Sequence, residues 1–381
     1  MTEKLYDADP HLLEFSATVL SCYAEGEHYR VILDRTAFFP CEGGQGADHG
    51  TLGAANVLDV LLEGDTLIHL TDAPLEPSAE VEGRLDVARR RRMMQTHTAE
   101  HILSGVCHTL YGTQNVGFHL GDSEVTLDLD LPLSEEEVAA AEEAANRAIW
   151  ENRPVRVLYP TPEELPLLDY RAKLDLKEGV RLVEIEGVDL CACCAPHVDR
   201  TGECGLLKVT GYMHYKGGVR LHIAVGCDAL ADHREKQATV HAASFALSVP
   251  EREVTAGLLR LMEAAAEERR AHAATRATLR RERLLAVRAR GEGHLVLTDI
   301  APSELRAYAE EGAEVLSATI LVLLPEGEVT RYALAAPSGD VRPLSASLHT
   351  ALGGRGGGKP TLVQGSIPAG VEAILAALEG L

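Results

Sequence analysis

Apolar and polar residues alternate over most of positions 12–85, which is the period of a β-strand with one buried face. Turn residues interrupt the alternation at Glu25-Gly26-Glu27 and at Glu63-Gly64-Asp65, so the pattern predicts two β-hairpins. We therefore interpret residues 1–87 as a β-barrel-like domain.

A helical period begins soon after residue 87. Met93, Ile102 and Val106 stand at helical spacings, and Gly112 provides a stop. Later, Ser134 and Glu137 have the spacing of a capping box for a second helix. The run 180–190 is typical of a single strand, and a hairpin follows it. Mixed helices and strands indicate an α+β domain over residues 88–235.

The remaining chain divides into an arm and a tail. Residues 236–290 predict a long helical arm, in which Val254, Leu258, Leu261 and Ala265 form a short heptad seam. A seam of this kind is compatible with a homodimer contact. It is equally compatible with a helix that serves only as a spacer. Strand and helix patterns alternate over residues 291–381, which we interpret as a small α/β domain.

Composition and charge narrow the function. The 381 residues carry a formal net charge of −22, which argues against non-specific coating of nucleic acid. Arginine runs at 89–92 and within 269–290 are typical of solvated helix faces. No apolar run is long enough to span a bilayer, and the first residues lack the pattern of a signal peptide. The eight cysteines do not resemble a disulfide framework, so we expect a cytoplasmic protein.

Two separated segments offer ligands for a metal ion. His97 and His101 stand one helical turn apart, a spacing also found in exposed histidine pairs without a metal. Nearly a hundred residues later, Cys193 and His197 offer a thiolate and a third imidazole. Sulfur and imidazole nitrogen suit Zn²⁺, whereas magnesium and calcium prefer oxygen. The two segments together predict a zinc site.

Two glycine-rich segments are candidates for binding. The stretch 36–50 is either a tight connection or a place where backbone approaches a ligand closely. The segment from Gly353 to Pro360 nearly matches a phosphate-binding loop, but Pro360 replaces the hydroxyl that would hold Mg²⁺, so we exclude an ATP site. As a loop of backbone amides, it suits a phosphate backbone; its candidate contacts are Arg355, Gly356, Gly357 and Lys359.

Three ordered motifs resemble those of alanyl-tRNA editing proteins (AlaX) and the editing domain of alanyl-tRNA synthetases. They are RTAFFPCEGGQGADHG, HTAEH and CACCAPH. The glycine-rich tail is similar to the C-terminal domain of those synthetases, so the resemblance covers nearly the whole chain. One departure is Pro196 before His197, which resembles the editing domain of threonyl-tRNA synthetases instead.

The resemblance implies a function and a site. It implies zinc held by His97, His101, Cys193 and His197, and hydrolysis of serine or glycine from mischarged tRNA(Ala), with the protein acting in trans. It also places the first glycine-rich segment over the active site. We therefore expect Gln45 and Thr36 to act on the substrate, with Gln45 not involved in zinc binding.

Two alternatives remain at this stage. His97 to His101 also spells the HxxEH pattern of a metallopeptidase, in which Glu100 would be the catalytic base. Cys191 and Cys194 have the spacing of a redox pair or a structural zinc knuckle, which would indicate a nucleic-acid binding module. Glu100 is thus a third candidate catalytic residue beside Gln45 and Thr36.

Overall fold

A computed structural model of the chain describes residues 2–172 and 179–380. The fold is mixed α+β, in agreement with the sequence pattern, and it consists of two compact units, Met1–Ala242 and Ala243–Leu381. Among the described residues, no helix has the length and apolar character needed to cross a membrane.

The first unit opens with a closed six-stranded barrel. Its strand order is β2-β3-β7-β6-β5-β8, and both predicted hairpins are present as β2–β3 and β6–β7. Buried Val31, Leu33 and Phe38 belong to its core. The elements are β1 (Glu3–Lys4), α1 (Leu5–Ala8), β2 (Glu14–Glu25), β3 (His28–Leu33), β4 (Arg35–Thr36), β5 (Gly50–Leu52), β6 (Ala55–Glu63), β7 (Thr66–Thr71) and β8 (Glu80–Leu85).

Helix α2 (Val87–Tyr111) follows the barrel and carries the HxxxH motif. The side chain of Asp86 accepts a hydrogen bond from the Arg89 N–H and caps its start, and Gly112 ends it in the left-handed conformation. The elements that pack around it are β9 (Asn115–Leu120), β10 (Val125–Leu129), α3 (Glu135–Trp150), β11 (Val155–Leu158), β12 (Leu182–Ile185), β13 (Asp189–Ala192), β14 (Leu207–Tyr215), β15 (Gly218–Val225) and α4 (Cys227–Leu247). The predicted capping box of Ser134 and Glu137 begins α3.

The strands around α2 form two small sheets. One has the order β14-β15-β10-β9 and the other β11-β12-β13. The prediction of one strand over 180–190 was wrong, because Gly187 adopts a positive φ of 68° and turns the chain into the β12–β13 hairpin. The second strand of this hairpin brings Cys191 towards α2, and Cys193 to His197 follow its end.

An ion pair joins the barrel to α2. Arg90 is only 1% exposed, and its Nη2 lies 2.5 Å from Oδ2 of the equally buried Asp48. The same guanidinium donates to the carbonyl oxygens of Pro10 and Ala37. The prediction of a solvated arginine run was therefore wrong at Arg90, because this part of the run packs against the barrel.

The second unit places helices on both faces of a five-stranded sheet. The order is β16-β17-β18-β20-β19; β16 and β17 are parallel and the other pairs are antiparallel. Along β17, alternate residues enter two different cores, which explains its nearly continuous apolar sequence. The elements are α5 (Val254–Arg290), β16 (His294–Val296), α6 (Leu305–Leu316), β17 (Ile320–Glu326), β18 (Val329–Ala335), α7 (Arg342–Leu352), β19 (Arg355–Lys359), β20 (Leu362–Ile367) and α8 (Val371–Glu379).

The glycine-rich tail segment is a strand, not the predicted loop. Residues Arg355–Lys359 form the edge strand β19 and pair with β20, with Gly356 opposite Gly365. A Cβ atom on Gly356 would lie 2.3 Å from the Gln364 carbonyl oxygen. Glycine is needed here because the two backbones approach so closely, and the pairing occupies backbone groups that a loop would leave free for a phosphate.

Candidate metal centre and cavity

The structure brings the four predicted metal ligands together. His97 and His101 come from one face of α2, whereas Cys193 and His197 come from the segment after β13. One ligand atom from each residue lies within 4.8 Å of the others. All three histidines are 3% exposed.

The spacing of these atoms fits a tetrahedral zinc ion. Sγ of Cys193 lies 3.6 Å from Nε2 of His97 and 3.3 Å from Nε2 of His197. Bonds of about 2.3 Å to sulfur and about 2.0 Å to nitrogen, at the tetrahedral angle, separate the two ligand atoms by about 3.5 Å. Donor chemistry and geometry are therefore both compatible with zinc.

Each imidazole is oriented by a partner on its other nitrogen. His97 Nδ1 lies 2.8 Å from Gln45 Oε1, and His101 Nδ1 lies 3.2 Å from Asp189 Oδ2. For His197, the hydroxyl of Thr98 lies 3.0 Å from Nδ1. With the Nδ1 proton donated outward in this way, Nε2 keeps its lone pair for a metal.

Two of these three partners, Asp189 and Thr98, were not predicted from the sequence. Asp189 is also bonded by the Arg171 guanidinium, at 2.7 Å from Nε and 2.9 Å from Nη2. Thr98 accepts a second hydrogen bond from the Val198 amide. Thr98 follows a predicted ligand directly, and Asp189 precedes Cys193 by four residues, so proximity in sequence was the available signal.

The protonation states of two ligands favour metal binding. Burial raises the pKa of the Cys193 thiol, but its electrostatic contacts with His97 and His197 and its hydrogen bonds to His101 and His197 outweigh burial and hold that pKa well below its ordinary value. Burial lowers the pKa of His197 to about 3, so this ring is neutral. By contrast, burial raises the pKa of the Cys194 thiol to about 12. Cys193 is thus the better thiolate ligand of the two.

A cavity of about 480 Å³ opens on the cluster. Its wall includes His97, His101 and Cys193, the ring of Phe118 and the carboxylate of Glu100. The centroid of the Phe118 ring lies 4.9 Å from that of His97. The volume is in the usual range for a site that encloses a small ligand.

The loop between β4 and β5, residues 37–49 and called the barrel loop below, reaches the four potential ligands through close backbone contacts. The amide of Leu120 donates to the Gly44 carbonyl, and the amide of Gly46 donates to the Leu120 carbonyl. Gly44 has φ of 86°, and a Cβ on it would lie 2.3 Å from the Phe118 carbonyl oxygen. Glycine at this position therefore lets Gln45 reach His97.

The three candidate catalytic residues have different surroundings. Glu100 lines the cavity, as expected of a residue that acts on substrate. Gln45 is bonded to a metal ligand, so the expectation that it is not involved in zinc binding does not fit its position. Thr36 is fully buried beside the barrel core, and its hydroxyl lies 2.8 Å from His69 Nε2. The structure therefore does not bring Thr36 to the cavity wall.

Replacing Gln45 with alanine is expected to weaken zinc binding about ten- to hundredfold, the usual cost of removing the partner that orients a ligand histidine. The reason is that Gln45 Oε1 is the acceptor that fixes the His97 ring. Competition with a chromophoric chelator measures the change. Gln45→Glu keeps an acceptor oxygen and should restore most of the affinity.

A variant in β4, the strand that directly precedes this loop, serves as the control. Thr36→Val removes a hydroxyl that is bonded to His69, and zinc affinity should remain within about twofold of the wild type. If Gln45→Ala binds zinc normally and only deacylation is lost, Gln45 contacts substrate, as the sequence first suggested.

The two alternative site interpretations fit the structure less well. A metallopeptidase of the HxxEH type would need a glutamate as its third ligand, whereas Cys193 and His197 already complete the set here. Cys194 belongs to no potential metal cluster among the described residues, and all eight cysteines are free thiols. A Cys191/Cys194 knuckle is therefore not favoured.

Comparison with known proteins relates this site to tRNA synthetases. The family described as "Threonyl and Alanyl tRNA synthetase second additional domain" matches residues 180–222, a stretch that contains Cys193 and His197. The alanyl-tRNA editing protein Aarsd1 of Mus musculus is 34% identical over 224 residues, which cover 54% of this chain and 54% of that protein. This chain is a homologue of alanyl-tRNA editing proteins.

The similarity extends to the ligases themselves. An alanine–tRNA ligase of Ignicoccus hospitalis is 31% identical over 373 residues, covering 94% of this chain and 40% of that protein. The editing protein Aarsd1-B of Xenopus laevis is 35% identical over 187 residues, covering 48% of this chain and 45% of that protein. The chain thus spans about half or less of the length of these relatives.

A solved structure aligns with part of the chain. The C-Ala domain from Aquifex aeolicus alanyl-tRNA synthetase covers 23% of this chain and 86% of its own length, with 20% identity and a TM-score of 0.21. A score of this size does not establish a shared fold.

Proposed function

We propose that this chain hydrolyses the ester bond between tRNA(Ala) and a wrongly attached serine or glycine, with zinc bound at the cluster. The observation that carries the proposal is the cluster of three oriented imidazoles and one thiolate, of which His97, His101 and Cys193 line a cavity. The names of the homologous editing proteins and ligases support alanine tRNA as the carrier.

The need for such an activity has a physical basis. A pocket shaped for alanine rejects a smaller or slightly larger side chain by only about 1–3 kcal/mol. A second site that removes the wrong amino acid supplies the remaining selectivity. Zinc at the cluster would act as a Lewis acid, the chemistry that it supplies in hydrolytic sites.

The protein's own groups prepare the site for this chemistry. Gln45, Thr98 and Asp189 hold the three imidazoles in the orientation that a metal requires. Phe118 packs against His97 and covers one side of the cluster.

The direct test uses tRNA(Ala) charged in advance with serine, glycine or alanine. The zinc-loaded chain should release serine or glycine well above the rate in buffer and leave alanine attached. Because the tRNA is charged before the chain is added, release also demonstrates action in trans. Cleavage of casein-like peptides with the three esters left intact would support a peptidase instead.

For the tail we propose contacts with the body of the tRNA. Arg355, Gly356, Gly357 and Lys359 are all exposed on the edge strand β19, so the two cations are available to phosphates. The arginine-rich helix α5 offers fewer free cations than its sequence suggests, because Arg280 and Arg283 are paired with Glu311 and Asp299.

The double variant Arg355→Ala/Lys359→Ala is expected to bind tRNA more weakly at low salt. It should also reduce the slope of log affinity against log salt by about 2, or about one per lost phosphate contact. Filter binding at four salt concentrations measures the slope. An unchanged slope would contradict a role of the tail in tRNA binding.

Homodimerisation through α5 remains a separate prediction, and the exposed side chains of Leu258 and Leu261 are compatible with it.

A further inference from the structure

Glu100 is a buried carboxylate with no cationic partner among residues 2–172 and 179–380. Its side chain lies in the cavity wall between two metal ligands on α2, and the residue is 3% exposed. Within the described residues, no lysine, arginine or histidine nitrogen lies within ion-pair distance of its oxygens. Nearby Arg171 is already bonded to Asp189 and Ser104. A buried carboxylate is costly unless a positive group joins it.

The carboxylate is held in one orientation. Asn115 Nδ2 donates to Glu100 Oε1 at 2.7 Å, and Asn115 Oδ1 in turn accepts from the Gly117 amide at 3.0 Å. The second oxygen, Oε2, has no hydrogen-bond partner in the described part of the chain. Since Glu100 lines the cavity, this oxygen is available to a bound molecule.

We propose that Glu100 binds the protonated α-amino group of the aminoacyl ester. This inference rests on the proposed function and specifies the substrate class of the same cavity: esters of free α-amino acids. In the bound substrate, the ester carbonyl would lie at the cluster. The α-ammonium is then the only positively charged group of the attached serine or glycine. Glu100 lines the same cavity as His97 and His101, so a carboxylate–ammonium contact can place the carbonyl beside the cluster. Esters whose amino group is acylated lack this charge and are rejected.

Two esters of the same tRNA test the proposal. One carries serine and the other carries glycerate, in which a hydroxyl replaces the α-amino group. Glu100→Gln is expected to lower kcat/KM for the seryl ester about tenfold or more and to change that for the glyceryl ester less than twofold. An equal loss on both esters would mean that Glu100 acts as a general base, and the proposal would be wrong.

A second carboxylate in the cavity wall gives a matched control. Glu42 is half-buried, and Glu42→Gln should retain the preference for the seryl ester. If Glu42→Gln loses that preference and Glu100→Gln keeps it, the ammonium binds at Glu42. Asn115→Ala frees the Glu100 side chain and should reduce the preference in the same direction, by a smaller factor. Zinc content should equal that of the wild type in all three variants.

Binding measurements separate this proposal from the proposed function. Adenosine with a 3′-seryl amide cannot be hydrolysed, and calorimetry gives its Kd beside that of the matching glyceryl amide. The wild type should bind the seryl amide at least about tenfold more tightly, and Glu100→Gln should bind the two alike. Equal Kd values in the wild type would overturn the ammonium site even if seryl-tRNA is deacylated. Selective binding without deacylation would instead contradict only the proposed reaction.

Discussion

Replacing Cys193 with alanine should remove most of the bound zinc and reduce deacylation to nearly the rate in buffer. The thiolate is one of four ligands whose atoms lie within 4.8 Å of one another. A four-ligand zinc site is worth about 10–16 kcal/mol, so the loss of one ligand weakens binding roughly a hundred- to thousandfold. Metal analysis after dialysis and a deacylation assay at fixed zinc measure both effects.

Cys194 is the matched control for this prediction. It adjoins Cys193 and lines the same cavity, yet burial keeps its thiol protonated by raising its pKa to about 12. Cys194→Ala should therefore retain zinc and activity. Zinc loss in Cys194→Ala with normal zinc in Cys193→Ala would reverse the ligand assignment.

The second large effect is expected from Arg90→Ala. The change leaves the carboxylate of Asp48 buried, with its cationic partner removed, and it removes donors to the Pro10 and Ala37 carbonyls. Breaking one side of a buried ion pair costs about 3–5 kcal/mol of unfolding free energy. For a unit of this size, the melting temperature of the barrel-containing unit should fall by roughly 10 °C. Thermal and urea unfolding followed by circular dichroism measure the change.

Arg91 provides the comparison within the same arginine run. It is exposed, so Arg91→Ala should change the free energy of unfolding by no more than about 0.5 kcal/mol. Similar losses in both variants would show that the Asp48 contact does not stabilise the fold. Arg90→Ala should also weaken zinc binding, because Asp48 and Gln45 lie in the same loop and the loop loses its anchor on α2.

The parts of the fold that depend on local sequence were predictable. The spacing of apolar residues and Gly112 predicted α2, and the Ser134/Glu137 capping box predicted the start of α3. The two barrel hairpins followed from alternation and turn residues. Each of these features involves residues close in sequence, where the chain's own stereochemistry decides the outcome.

Contacts between distant residues could not be read from the sequence in the same way. Arg90 meets Asp48 across 42 positions, and Gln45 meets His97 across 52. The helical sequence pattern does not distinguish a buried arginine from an exposed one. Only the packing of the barrel on α2 makes that distinction. The grouping of four potential metal ligands was predictable despite a similar separation, because few other combinations of His and Cys suit a zinc ion.

The hydrogen bond between His97 and Gln45 sets the size of the smallest fragment that would keep the candidate site intact. A fragment that starts at Asp86 would contain all four ligands, but nothing would fix the ring of His97 or position the Phe118 side of the cavity against the loop. A fragment that is grafted onto another protein must therefore include the barrel as well as α2. The barrel thus supplies the partner that orients one potential ligand, although it supplies no ligand of its own.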